Sequence, residues 1–209
     1  GGAWTQRLSA LAKQARCGLT IGWAEAADGK VYNAATCFDD TGEQIAHYRK
    51  IQLYGPMERA SFSYGDAYTV FDLYGHKAAL MICYDVEFPQ HCIALAEQGV
   101  TLVLVPTANP KGFEHVSTAF VPARAAEMRL TIVYANFCGT EGDVTYGGHS
   151  VIVGPDARVL DQLLYKWRET RLMLEPVLLD GLQRLPLGTI AVLLGLVIAE
   201  LLFSAFPAA

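Results

Sequence analysis

One stretch, residues 77–106, limits the folds open to this chain more than any other. Its two apolar runs, KAALMIC and VTLVLVP, are typical of strands that are covered on both faces. The segment PQHCIALAEQ between them has a proline suited to the first turn of a helix, and Gly99 follows as a helix end. Strand, helix and strand in this order predict a βαβ unit with parallel strands, and therefore an α/β fold.

The remaining patterning adds more strands and two helices to this unit. Residues 8–16 and most of residues 115–129 are predicted to be helical, although Pro122 must interrupt or start part of the second helix. Further strands are predicted in the segments LTIGWAEA, VYNAATCF, QIAHYRK, LTIVYANF, HSVIVG and VLDQLL. The sequence therefore predicts one α/β domain over residues 1–163, followed by an unassigned tail over residues 164–209.

Charge and cysteine content exclude several classes of protein. The formal net charge is −5 and no block of Lys or Arg forms a basic stripe, so we expect no nucleic-acid partner. The five cysteines are odd in number and widely spaced, and the chain has no CxxC pair. This pattern predicts neither a disulfide framework nor a metal site. It is typical of reduced thiols, and we expect a cytoplasmic protein.

The tail contains an apolar segment, residues 187–206, in which Glu200 is the only charge. As a helix it would extend roughly 30 Å, about the thickness of a bilayer core. Three interpretations stay open: a helix in or on a membrane, a core or oligomer helix, and a tail unrelated to the preceding domain. Membrane association through this segment is therefore the alternative to a cytoplasmic location.

Cys83 ends the first apolar run of the predicted βαβ unit. The carboxyl end of a parallel strand faces the crevice in which α/β sheets bind ligands. The N-terminus of a following helix would favour a thiolate there, and the backbone N–H of Tyr84 is a candidate donor to an oxyanion. The alternative is a buried cysteine that acts only as a small hydrophobic residue.

The segments around Cys83 and Lys50 carry a resemblance that covers about residues 3–163. ICYDVEFP, preceded by HYRKIQL, closely resembles the nitrilase superfamily of carbon–nitrogen hydrolases, and its amidase-like members most of all. The segments YNAATCFDDTGEQIAHYRK, MERASFSYGD, VPARAAEMRLTIVYANFCG and GGHSVIVGPDARVL are similar to further motifs of that superfamily. The resemblance implies an α-β-β-α sandwich and a Glu–Lys–Cys triad.

The resemblance also implies a role for each matching residue. Cys83 would attack the carbon of a small amide or nitrile and form a thioester or its equivalent, with Lys50 stabilising the developing charge. Glu58 would orient the lysine and the attacking water; a surface acid in a loop is the alternative for it. Tyr54 and Asn109 are candidates for the lining of the substrate pocket. Neither a metal nor an organic cofactor is needed by this set of groups.

The sequence departs from the superfamily pattern at both ends. The general-base glutamate that the resemblance implies, typically just after Phe-Pro on an earlier strand, has no match before Lys50. We therefore expect an N-terminally incomplete sandwich with impaired hydrolysis, and Glu25 fits a structural role better than that of the base. In the superfamily, an extended tail helps dimers to form, and the tail of this chain does not match that pattern. From the resemblance as a whole we still expect a homo-oligomer. A non-catalytic binding or assembly subunit and a membrane-tethered acyltransferase relative are the alternative functions.

Overall fold

Two large β-sheets with helices on both sides, together with a small two-stranded sheet, make up residues 2–163, the part of the chain that the computed structural model describes. The helices are α1 (Ala3–Ala15), α2 (Gly55–Ser61), α3 (Pro89–Glu97) and α4 (Val121–Met128). The strands are β1 (Leu19–Ala27), β2 (Lys30–Phe38), β3 (Gln44–Arg49), β4 (Val70–Leu73), β5 (His76–Leu80), β6 (Leu102–Thr107), β7 (Thr131–Asn136), β8 (Cys138–Glu141), β9 (Val144–Gly147), β10 (Ser150–Val153) and β11 (Val159–Leu163).

The larger sheet contains the predicted βαβ unit. Its six strands lie in the order β11-β10-β7-β6-β5-β4, and β5, β6 and β7 are parallel. Helix α3 connects β5 to β6, so the prediction made from residues 77–106 is confirmed. The smaller sheet has the order β1-β2-β3 and is antiparallel throughout, with Asp28 and Gly29 at positive φ in its first hairpin turn.

Successive side chains of the parallel strands point to opposite faces of the larger sheet, and each face packs against a different layer. Leu80, Leu104 and Val133 face the smaller sheet, whereas their neighbours in sequence face α3 and α4. On its far side the smaller sheet packs against α1, through Leu8 and Phe38 among others. The order of layers is therefore helix, sheet, sheet, helix, which confirms the α-β-β-α arrangement that the resemblance implied.

Three local features differ from the predictions. Strand β5 ends at Leu80 instead of continuing to Cys83, because the chain turns into a 3-10 helix at Cys83–Glu87. Strand β4 and the hairpin of β8 and β9 were not predicted. The hairpin sequences CGTE and VTYG lack the apolar alternation that identifies a half-buried strand, so no sequence signal marked them.

Within residues 2–163, no helix is both long and apolar enough to cross a membrane. The predicted apolar helix at residues 187–206 lies outside the described residues, so it stays a prediction. The expected homo-oligomer also stays a prediction.

Candidate active site

Lys50 comes directly after β3 and is buried, with none of its side-chain surface exposed. Its backbone N–H donates to the carbonyl of Asn33 at 2.8 Å, and its carbonyl accepts the N–H of Gly65 at 2.8 Å. A side chain at Gly65 would collide with the carbonyl of Arg49, so only glycine lets the 61–66 loop close over the strand end. This packing directs the lysine into the interior instead of into solvent.

Glu58 is the partner of the buried ammonium. Its Oε2 lies 2.8 Å from Lys50 Nζ and its Oε1 lies 3.0 Å from the same atom. The carboxylate also accepts the side-chain amide of Asn33 at 3.1 Å and the backbone N–H of Tyr54 at 2.6 Å. A buried charge is tolerated when it is paired and its partner is hydrogen-bonded in turn, so Glu58 offsets the cost of burying the Lys50 ammonium. The surface-acid alternative for Glu58 does not fit these contacts.

Cys83 begins the 3-10 turn Cys83–Glu87 and has a φ of 48°. Such a conformation costs a non-glycine residue about 1–3 kcal/mol and is frequent at nucleophilic residues on sharp turns after a strand. The first hydrogen bond of the turn is donated by Asp85 N–H to the Ile82 carbonyl at 3.1 Å. The N–H of Tyr84 therefore lies one residue before the first donor of the turn, where a 3-10 helix leaves its N–H groups unpaired.

The expected helix N-terminus at Cys83 is wrong in one respect. Helix α3 starts only at Pro89, and the 3-10 turn separates it from the sulfur. Its dipole therefore does not act at Cys83 in the way the sequence suggested, since the effect is confined to the first turn of a helix.

The protonation state of Cys83 also differs from the expectation. Burial raises the pKa of its thiol to about 11, although the charge of Lys50 and the backbone N–H of Ala108 both act to lower it. The residue as a whole is partly exposed, and its sulfur donates to Asn109 Oδ1 at 3.1 Å. The site thus holds a thiol and not the predicted thiolate, because desolvation outweighs the nearby positive charge.

Asp85 connects the lysine side of the site to the cysteine side. It is fully buried, and its carboxylate accepts the Tyr48 hydroxyl at 2.8 Å, the Ile82 N–H at 2.9 Å and the Gln52 N–H at 2.8 Å. The residues that follow Lys50 and the turn that holds Cys83 are therefore bound to one carboxylate. These bridging contacts could not be predicted from the sequence, because they join residues more than thirty positions apart.

Asn109 accepts a hydrogen bond from the thiol of Cys83 and is itself fixed by several hydrogen bonds. Its side-chain amide donates to Tyr134 Oη at 2.7 Å, and its backbone N–H donates to Asn136 Oδ1 at 2.7 Å. Asn136 also donates to the Asn109 carbonyl at 3.3 Å, and its own N–H donates to Ser150 Oγ at 2.9 Å. Asn136 was not predicted as a site residue. It is a polar residue at the end of the apolar strand β7, next to β6, and this position could have indicated it.

Tyr54 lies at the rim of the site, with 43% of its surface exposed. Its ring makes edge contacts with Tyr84, at a centroid distance of 5.1 Å, and with Phe113, at 6.0 Å. The structure therefore brings Lys50 and Glu58 into direct contact. Burial raises the pKa of the Cys83 thiol and the charge of Lys50 opposes that rise, while Tyr54 packs beside Tyr84, the residue that follows the cysteine.

Glu25 lies on the opposite face of the smaller sheet, where it binds Arg49 at 2.6 Å and His47 at 3.1 Å. These pairs agree with the structural role expected for it. Among residues 2–163, no cluster of three or more His, Cys, Asp or Glu side chains is arranged to hold a metal ion.

Comparison with known proteins places this geometry in a family. The family model described as carbon-nitrogen hydrolase matches residues 1–185, and the domain boundary at residue 163 stays a prediction. A curated relative, the hydrolase in the pqqF 5' region of Pseudomonas protegens, is 39% identical over 74% of this chain and 55% of its own length. The (R)-stereoselective amidase of a Pseudomonas species is 34% identical over 76% of this chain and 58% of its own.

A solved structure leads to the same group. A mutant of the amidase from Nesterenkonia sp. AN1, which shows the result of Michael addition of acrylamide at the active site cysteine, is 39% identical and superimposes with a TM-score of 0.74. The alignment covers 77% of this chain and 64% of that one. This chain thus spans between about half and two thirds of the length of these relatives. The chain belongs to the carbon–nitrogen hydrolase family, as an amidase-like member.

Proposed function

We propose that this protein hydrolyses the carbon–nitrogen bond of a small amide, with Cys83 as the nucleophile. The observation that carries the proposal is the position of Cys83 on a positive-φ turn, within the field of a buried lysine that a glutamate holds in place. The acrylamide adduct at the active site cysteine of the Nesterenkonia amidase supports a nucleophilic thiol in this kind of site.

In the first half of the reaction, the sulfur of Cys83 attacks the amide carbon while the thiol gives up its proton. The carbonyl oxygen becomes an oxyanion, which Lys50 Nζ and the backbone N–H of Tyr84 stabilise. The carbon–nitrogen bond then breaks, and the nitrogen takes up the proton from sulfur and leaves as ammonia or an amine. The product on the enzyme is a thioester at Cys83.

In the second half, water attacks the thioester and releases the acid and the free thiol. Glu58 accepts two hydrogen bonds from Lys50 Nζ, at 3.0 and 2.8 Å, so it holds the lysine in one orientation through both halves. We infer that this contact, and orientation of the water, are the contribution of Glu58. A nitrile would enter by the same attack on its carbon, and it is the second substrate class for the site.

Proton transfer is the weak step for the 209-residue polypeptide on its own. Glu58 is committed to Lys50, Asn33 and Tyr54, and no residue before Lys50 matches the base that the resemblance implies. A well-placed general base contributes about 10²- to 10⁴-fold to rate. We therefore propose that this polypeptide forms the thioester slowly and turns over poorly.

The test is to trap the intermediate. The 209-residue polypeptide is incubated with propionamide, quenched with acid and analysed by peptide mass spectrometry, while ammonia release is measured in parallel. We expect a propionyl group on Cys83, none in Cys83→Ala, and slow release of ammonia. In a separate arm, acrylamide should modify Cys83 before the other four cysteines.

Two outcomes would change the proposal. Ammonia release that persists in Cys83→Ala would remove the sulfur from the mechanism. Binding of propionamide with neither a thioester nor ammonia would favour a non-catalytic binding or assembly subunit.

A further inference from the structure

We infer that Glu87 makes this site selective for amides that carry an ammonium group near the amide carbon, such as amino acid amides. The inference rests on the proposed amide hydrolysis and adds the substrate class. Glu87 is the last residue of the same 3-10 turn that Cys83 begins, so the nucleophile and this carboxylate are separated by a single short turn.

The Glu87 carboxylate lies close enough to the site to act on its groups. Burial is the main cause that raises the pKa of Cys83 and of Tyr134, and the charge of Glu87 raises both further. Asn109 connects these two residues, since it accepts from Cys83 at 3.1 Å and donates to Tyr134 at 2.7 Å. The charge of Glu87 therefore reaches both ends of this chain of contacts, from the turn that also holds the nucleophile.

Glu87 also lacks the partners that a carboxylate in this position needs. Its side chain is partly buried, and within residues 2–163 it accepts no hydrogen bond and forms no ion pair. Lys50 is bound to Glu58, and the nearby Arg124 donates to Glu127 at 2.7 Å and to the backbone carbonyl of Glu87 at 3.3 Å. The guanidinium therefore holds the main chain of Glu87 and leaves its carboxylate unpaired.

Burial raises the pKa of the Glu87 carboxyl, while the charges of His115 and Lys50 lower it. A partly desolvated carboxylate without a cation is unfavourable, and a substrate ammonium would supply that cation on binding. Glu58 differs in this respect, because its oxygens are already occupied by donors of the protein. Of the two carboxylates, Glu87 is the one open to a ligand.

The test compares two amides of nearly the same size and shape. Glycinamide carries an ammonium where propionamide carries a methyl group, and at pH 7 most of its α-amine is protonated. The measurement is the concentration of each amide that halves the rate of acrylamide addition to Cys83. We expect glycinamide to protect at about tenfold lower concentration than propionamide, and Glu87→Gln to remove most of that ratio.

Glu97→Gln is the matched control, because Glu97 is an exposed carboxylate on α3 and its loss should leave the ratio unchanged. Thermal unfolding of both variants checks that they fold. Equal protection by the two amides in the parent chain, or a ratio that Glu87→Gln does not change, would overturn the inference and leave the proposed function standing.

Two further results have distinct meanings. An equal loss of protection by both amides in Glu87→Gln would overturn charge selection, because the residue would then act on every substrate. Protection by neither amide in the parent chain would overturn the proposed amide hydrolysis together with this inference.

Discussion

The two sides of the candidate site differ in how their polar groups are held. On the amine side, Lys50 and Glu58 are bound to each other, and the free oxygen positions of Glu58 are taken by Asn33 and Tyr54. On the sulfur side, Cys83 has a positive φ, its thiol has a raised pKa, and Glu87 has no ion-pair partner among residues 2–163.

The difference suits the two sides to different roles. The paired ammonium of Lys50 keeps one position and can stabilise an oxyanion without rearrangement. The carboxylate of Glu87 has no ion-pair partner in the described part of the chain, so a substrate group that binds it adds an interaction that the protein does not already make. Asp85 is hydrogen-bonded to residues on both sides, so the position of one side relative to the other depends on this buried carboxylate.

The pH dependence of Cys83 is the largest effect that tests this comparison. The thiolate is the reactive form, and burial raises the pKa of Cys83 to about 11. The rate of acrylamide addition should therefore rise about tenfold per pH unit from pH 7, level off near pH 11, and increase by roughly 10³-fold between pH 7 and pH 10. Mass spectrometry of the modified peptide measures the rate, and a profile that is flat above pH 7 would show that the sulfur is a thiolate.

Replacement of the lysine tests the amine side. Lys50→Met keeps an unbranched side chain that is one atom shorter and removes the charge, so we expect thioester formation with propionamide to fall about 10²- to 10³-fold. The acid-quench measurement gives the rate. Lys77→Met, at an exposed lysine of β5, is the control and should change it little. A similar fall in both variants would contradict a specific role for Lys50.

Removal of the connecting carboxylate tests how far the two sides depend on each other. Asp85→Ala leaves the Tyr48 hydroxyl and the N–H groups of Ile82 and Gln52 without their acceptor, and each buried unpaired group costs about 1–3 kcal/mol. We expect the free energy of unfolding in urea to fall by about 3 kcal/mol. Asp72→Ala, at an exposed position of β4, should fall by less than about 0.5 kcal/mol. Equal losses would show that Asp85 does not connect the sides.

The smallest expected effect comes from Glu58→Gln. Glutamine keeps the shape and one acceptor oxygen but leaves the buried ammonium without a negative partner. Thioester formation should slow by about tenfold, since the lysine loses the pair of hydrogen bonds that fixes its orientation. Glu43→Gln, at an exposed glutamate, is the matched variant for the same rate measurement. No difference between the two would place Glu58 among the surface acids.

Much of the fold follows from local patterns. The two apolar runs of residues 77–106 are buried on both faces because they form β5 and β6 in the centre of the larger sheet, and a short helix between parallel strands has one common handedness. The position of Lys50 at a strand end was equally readable. Weakly patterned strands such as β8 and β9 were not, because polar edge strands carry no periodic signal.

The sequence by itself determined which groups are present and on which elements they lie: a cysteine after one strand, a lysine after another, and two apolar strands that are covered on both faces. Only the tertiary structure decided that Asp85 joins the two sides, that Asn136 holds Asn109, and that burial keeps Cys83 protonated. The reason is that hydrogen bonds and desolvation depend on atoms brought together from distant parts of the chain, whereas patterning reports only neighbours in sequence.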